Sequence, residues 1–328
     1  MRRAGLILTA AAALFVATAA ARDNAWQWDL PEGTAPPPVP ADNPMNRAKV
    51  DLGRKLFYDA DLSINGTMAC SNCHDQDRAF ADGNRTRPGV HGDPGRRNVP
   101  GLANIGYLTP LTWADPRLAT LEDQVGVPVF GETPVEMGMK GQEAELIRRL
   151  AGNDCYQTLF RDAFPETGGA IDMLGVTRAL AAFQRSMISF DSPADRHRRG
   201  QTDALLAPAL RGERLFAADC ATCHSGQDFT DGRFHALEGG GTSGDRGLIE
   251  VSGLAGDEAR FRTPSLRNVA LTAPYLHDGS AATLQEAIAR HGRTAPVSAD
   301  LIAYLEAMTD SSFVENPAFA YPDDLCRG

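Results

Sequence analysis

Apolar positions along the chain recur at helical spacing, and they do so twice in the same order. Ala48, Leu52 and Leu56 repeat every four residues, which lays one apolar stripe along a helix. Asn43-Pro44 reads as its start, a capping acceptor ahead of a proline at the first helical position. The helix runs out in Gly53-Arg54-Lys55-Leu56-Phe57-Tyr58-Asp59. A second copy of that ending stands at Gly212-Glu213-Arg214-Leu215-Phe216-Ala217-Ala218-Asp219. Each half closes on a further amphipathic helix, marked by Val176, Leu180, Phe183 and Met187 and then by Leu301, Leu305 and Met308. No run alternates long enough to predict a sheet. The pattern predicts an all-α protein of two related helical domains, 43–195 and 196–310, with the junction in the polar stretch Ser192 to Thr202.

The flanks read differently. Residues 1–21 have the form of a secretory signal: Arg2 and Arg3, an apolar run from Leu6 to Val16, and Ala19-Ala20-Ala21 as a cleavage site. The run is short for a membrane span. The expectation is a protein released into an oxidising compartment, most simply the periplasm, with no membrane insertion after cleavage. Residues 22–42 carry Trp26-Gln27-Trp28 and then a Pro-rich run with three consecutive prolines at 36–38. They are expected to form an extended arm that docks its aromatic pair on the body. With 43% hydrophobic and 23% charged residues over 328, disorder is excluded. A net charge of −10 argues against nucleic acid as a partner.

The chemistry is carried by Cys70-Ser71-Asn72-Cys73-His74 and Cys220-Ala221-Thr222-Cys223-His224. C-x-x-C-H is the attachment motif of a c-type haem: the thiols form thioethers and the histidine ligates iron. A zinc site would need four ligands gathered across 150 residues, and the histidine after each pair would be coincidence. Two copies after the same helix ending predict two covalently bound haems c. The sixth position then separates function, because iron with two protein ligands passes electrons and iron with one open position can bind peroxide. After Cys223 the one methionine is Met308, on an apolar helix face and so read as core. The candidates opposite His224 are His235, His277 and His291.

At this point the chain resembles the bacterial di-haem cytochrome c peroxidase/MauG superfamily over nearly all its mature length. The run Phe261-Arg262-Thr263-Pro264-Ser265-Leu266-Arg267-Asn268-Val269, continuing to Pro274-Tyr275-Leu276-His277-Asp278-Gly279, carries the likeness. Three segments are similar to the MbnH-like subgroup: Trp26 to Pro31, Pro40 to Met45, and Leu111-Thr112-Trp113-Ala114-Asp115-Pro116. The resemblance implies His291 as distal ligand of the second haem, in place of the peroxidases' methionine or the tyrosine of MauG. It places His277 near that haem, hydrogen-bonded rather than ligating, and leaves His235 a structural role. It puts Trp113 between the haems, and Gln124, Pro128 and Glu136 in a peroxide pocket at the first haem. Glu136 is the acid–base candidate there, with Glu132 and Glu143 as plainer alternatives. His91 is either a cap on the first haem or part of a plain turn.

Further implications concern the scaffold. Asn98 with the carbonyls of Thr272 and Pro274 matches a calcium site between the domains. Cys155 and Cys326 are left over and can pair. The family's tail, here 311–328, packs back on the first domain. The run Gly239 to Gly244 lacks the lysine of a phosphate loop and reads as a flexible loop. The implied activity is reaction with hydrogen peroxide at the N-terminal haem and storage of oxidising equivalents over both haems. An aromatic residue of a periplasmic partner protein is then oxidised. The alternative is a cytochrome c peroxidase fed by a small cytochrome or cupredoxin; a weaker one is a non-catalytic di-haem electron carrier. One departure stands out: where MauG has a surface tryptophan used to reach its partner, this chain has Ala218.

Overall fold

The computed structural model of the chain describes residues 24–237, 244–292 and 297–326. The expected signal and nearly all of the Gly-rich run lie outside the described residues. The first half contains α1 (Arg47–Phe57), α2 (Leu121–Phe130), α3 (Glu143–Ala151), α4 (Asp154–Ala163) and α5 (Met173–Arg185). The second contains α6 (Pro193–Arg198), α7 (Ala207–Asp219), α8 (Leu284–Ala289) and α9 (Ala299–Glu306), joined by one-turn helices and loops.

In each half one pair of helices crosses closely, α1 on α5 and α7 on α9. A glycine permits each crossing. A Cβ on Gly53 would lie 2.0 Å from the Ala179 carbonyl oxygen, and one on Gly212 would lie 1.9 Å from that of Asp300. The duplicated helix ending thus has a packing reason. Around the first crossing Leu52, Leu56, Phe57, Val176, Leu180 and Phe183 are buried; around the second Phe216, Leu301, Tyr304, Leu305 and Met308 are. Met308, just past the end of α9, is core as expected.

Two sequence readings are corrected. The first helix begins at Arg47, and Asn46 caps it by accepting the Lys49 N–H at 2.7 Å. Asn43 is buried and spends its amide on Glu122 Oε1 (2.7 Å) and the Arg178 carbonyl (3.1 Å). Tertiary hydrogen bonds therefore take the residue that local capping rules favour. The second correction is a small antiparallel ribbon of β1 (Phe234–Ala236) and β2 (Arg260–Arg262), with His235 opposite Phe261. Three residues per strand are too few for alternation to register.

The halves are tied by a buried network built on a matched pair of asparagines. Asn104 and Asn268 both have left-handed backbone, with φ of 56° and 59°. The Asn104 N–H donates to Met187 O (2.9 Å) and its Oδ1 accepts from Ser189 N (2.7 Å). The Asn268 N–H donates to Met308 O (3.1 Å) and its Oδ1 accepts from Asp310 N (2.7 Å). Ser189 Oγ then donates to Asp310 Oδ2 at 2.9 Å and accepts from Asn268 Nδ2 at 3.1 Å, joining the two clasps. Buried Arg267 forks onto Asp195 (2.8 and 3.0 Å) and reaches Asp228 at 3.0 Å. Asp195 belongs to α6, so the polar junction read from the sequence is a short capped helix whose carboxylate is buried and paired. A buried polar network of this kind specifies one relative arrangement only because its members are satisfied.

Both flanks lie on the first half. The arm is fixed by Asn24, whose Oδ1 accepts the Ala48 N–H at 2.9 Å, and by Ala35 O, which accepts from Tyr107 Oη at 2.7 Å. Trp26 packs on the first core and meets Trp28 edge-on at 5.6 Å. At the other end Phe313 and Phe319 complete that core. Arg54 forks onto Asp324 at 2.7 and 2.8 Å, and Cys155 is disulfide-bonded to Cys326.

Candidate haem sites

The two C-x-x-C-H motifs follow α1 and α7 and take the same turn. The His74 N–H donates to Cys70 O and the His224 N–H to Cys220 O, both at 2.9 Å. Each imidazole then finds a carbonyl: His74 Nδ1 lies 2.6 Å from Phe80 O, and His224 Nδ1 lies 3.0 Å from Phe229 O. Phe80 (φ 62°) and Phe229 (φ 51°) both sit in the left-handed region that L side chains avoid. Backbone strain repeated at the same place in both halves points to a functional constraint. A carbonyl on Nδ1 fixes that nitrogen as the protonated one and leaves the Nε2 lone pair for a metal. Burial holds His74 below its ordinary pKa and takes His224 down to about 4, so both rings stay neutral.

Beside the second motif lies a cleft of about 1840 Å³, its open mouth included, lined by Cys220, Cys223 and His224 and by apolar Phe216, Leu284, Ile288 and Leu301. His291, just past α8, stands across from His224 with ring centroids 6.4 Å apart. Its Nδ1 lies 2.8 Å from Ala287 O, which again puts the proton on Nδ1 and the lone pair on Nε2. One metal ion bonded to a nitrogen of each ring at about 2 Å fits that gap. Arg262 lines the same cleft, is 3% exposed, and donates to the carbonyls of Leu111, Thr112 and Thr263. Burial lowers its pKa to about 10. A buried guanidinium whose hydrogen bonds among the described residues all go to carbonyls is a ready partner for a carboxylate such as a haem propionate. The residues of this cleft fit a haem.

Other predicted residues border the cleft. Trp113 is 9% exposed and donates its indole N–H to Asn98 O at 2.8 Å. Asn98, Thr272 and Pro274 are all lining residues. The Asn98 amide nitrogen donates to the carbonyls of Asn84 and Arg85, at 3.1 and 3.3 Å. His277 is buried and stacks on Phe261 with centroids 3.6 Å apart. His235 pairs with Asp231 at 2.8 Å. Those two and Cys223 have ligand atoms within 4.8 Å of one another. Thioether attachment at Cys223 removes that trio as a metal site of its own.

In the first half, Gln124 and Pro128 stand one turn apart on α2 and so share a face. The Met137 N–H donates to Pro128 O (2.9 Å) and the Val90 N–H to Glu136 O (2.7 Å), which brings the Glu136 loop against that helix. Gln124 Oε1 is buried with no hydrogen-bond partner among the described residues. Burial pushes the Glu136 carboxyl above its ordinary value. Its charge adds to the effect of burial in lifting the unattached thiols of Cys70 to about 12 and Cys73 to about 11. Of the plainer alternatives, Glu132 is exposed and paired with Lys140, and Glu143 is exposed at the start of α3. His91 is exposed on the turn closed by Gly92 N–H and Gly89 O, beside Gly138.

The chain matches the profile of di-haem cytochrome c peroxidases over residues 47–203. It is 33% identical to the methylamine utilization protein MauG of Methylophilus methylotrophus over 324 residues, covering 96% of this chain and 95% of that one. It is 36% identical to the cytochrome c peroxidase Ccp of Escherichia coli K12, over 76% of this chain and 54% of that one. The chain belongs to the di-haem cytochrome c peroxidase/MauG family. A solved MauG-like protein associated with microbial copper homeostasis superposes with a TM-score of 0.85 at 38% identity, over 91% of this chain and 99% of that one. Membership makes this protein a peroxidase-type oxidoreductase with two haem c groups. Among the described residues no helix is long and apolar enough to cross a membrane.

Two features escaped the sequence reading. Pro100-Gly101-Leu102-Ala103-Asn104-Ile105 and Pro264-Ser265-Leu266-Arg267-Asn268-Val269 are a second internal repeat, whose Pro-x-Leu-x-Asn spacing was visible. Arg262 belongs to the Phe261–Val269 motif, but its burial with no carboxylate partner among the described residues is a fact of the fold alone.

Proposed function

We propose that the protein reacts with hydrogen peroxide at the haem of Cys70, Cys73 and His74. The oxidising equivalents spread over both haems and act on an aromatic residue of a partner protein in the periplasm. Haem iron with an open position activates peroxide, and iron with two protein ligands passes electrons. The observation that carries this reading is His291 facing His224 across 6.4 Å, which closes the second site with nitrogen on both sides. An imidazole donates more strongly than a methionine thioether and lowers the second site's potential. That suits a store of oxidising equivalents better than a site reduced by a small electron donor.

The first site's residues divide the work. Glu136, its carboxyl raised above its ordinary value by burial, takes the proton from the nearer peroxide oxygen and returns it to the leaving one. Gln124, its Oε1 without a partner among the described residues, orients the bound molecule, and Pro128 stands one turn further along the same face of α2. Trp113 bridges the halves, and Asn98 with the Thr272 and Pro274 carbonyls holds a calcium ion against the second site. The test is a stoichiometric titration of the ferric holoprotein with hydrogen peroxide. Spectral change at both haems without prior reduction supports the proposal. Change only after one haem is reduced favours the cytochrome c peroxidase reading, with a small cytochrome or cupredoxin as donor.

A further inference from the structure

We infer that Tyr321 is the outer end of an aromatic relay that leads from His74 to the protein surface. This rests on the reading that peroxide reacts at the first site. The ring of His74 lies 6.3 Å from Phe57, Phe57 lies 5.4 Å from Tyr58, and Tyr58 lies 5.7 Å from Tyr321. The two outer contacts are edge-on, at 68° and 78°, within the usual range for packed aromatic pairs. Tunnelling falls off steeply with the gap, so rings in contact offer a path that aliphatic packing does not. The chain has three tryptophans and six tyrosines, and all nine fall within the described residues. Tyr321 alone among them is exposed, at 60%.

The tail holds this exposed ring in place. Phe319 O accepts from Tyr58 Oη at 2.7 Å, Asp324 takes the fork of Arg54, and Cys326 is bonded to Cys155. Anchors on both sides of residue 321 keep its ring against Tyr58 while one face meets water.

Proton chemistry decides where the relay ends. Tyr58 donates to a backbone carbonyl, which cannot take its proton, and burial pushes its pKa up to about 12. Tyr58 therefore conducts without keeping the oxidised state. At Tyr321 the phenol gives one electron inward and its proton to water, leaving a neutral phenoxyl radical. An aromatic side chain of a docked donor then restores it with one electron and one proton. Two such one-electron steps use both equivalents of one peroxide, which with two protons leaves as two waters.

The experiment is freeze-quench electron paramagnetic resonance of the holoprotein mixed with one equivalent of hydrogen peroxide and no partner protein. Wild type gives a transient tyrosyl radical. Tyr321→Phe keeps the ring contact but cannot form the phenoxyl, so the signal is lost while the haem spectrum still responds to peroxide. Tyr58→Leu, which breaks the relay with Tyr321 in place, also loses it, and Tyr156→Phe keeps it. The same radical in wild type and Tyr321→Phe, with responding haems, overturns the relay alone. Haems that do not respond to peroxide in any of these proteins overturn the first-site reading and the relay with it.

Discussion

The two halves present their histidines by the same turn and differ in what stands opposite. In the second half the chain beyond α8 brings His291 over His224. In the first half the Glu136 loop, whose carboxyl acts on the Cys70 and Cys73 thiols, packs on α2, which carries Gln124. On the proposed function, one scaffold serves an electron-holding site and a reactive site, and a few distal residues make the choice. The cores differ too. The first extends through α2–α5 and takes in Phe313 and Phe319 of the tail. The second is a smaller cluster whose Phe216, Leu301 and Leu305 also line the cleft.

The largest effect that could break this contrast is expected at Glu136. Glu136→Gln should slow the peroxide reaction by about 10²–10⁴-fold in stopped-flow mixing, as loss of a positioned acid–base group does. The sign with pH follows from burial. The carboxyl titrates above its ordinary 4.5, and the base form is lost as pH falls through that raised value. The wild-type rate should fall on the acid side there, and the variant should lack that limb. An unchanged rate and limb would remove the chemical distinction between the sites.

Stability changes are smaller and test the scaffold. Replacing Cys155 and Cys326 together by serine should cost about 2–4 kcal/mol in denaturant unfolding, because the bridge closes a long loop. The loss should fall on the first half, seen as exposure of Tyr58. Gly53→Ala and Gly212→Ala should each cost about 1–3 kcal/mol by overpacking equivalent crossings. A large cost at only one would show that the crossings are not equivalent. Trp113→Phe should lose about 1 kcal/mol with its bond to Asn98 O, and electron exchange between the haems should slow.

Attachment chemistry and the paired helices were legible because thioether formation needs cysteines at fixed spacing and helices repeat on one stripe. The tail's return and the Cys155–Cys326 pair came from resemblance; neither follows from spacing across 171 residues. The start of α1 was misread because Asn43 is drawn away by Glu122 and Arg178, residues far off in sequence. The asparagine clasp between the halves was hidden in a repeat whose meaning lies in backbone hydrogen bonds. The relay was invisible because Tyr58 and Tyr321 meet only after the tail folds back.

The asymmetry of the two sites is tested most directly by electron paramagnetic resonance of the resting ferric holoprotein beside His291→Ala. Wild type should show one low-spin and one high-spin haem in equal amounts, and the variant should show two high-spin haems. A low-spin signal that survives unchanged in His291→Ala would contradict the account, because His224 would then have another partner.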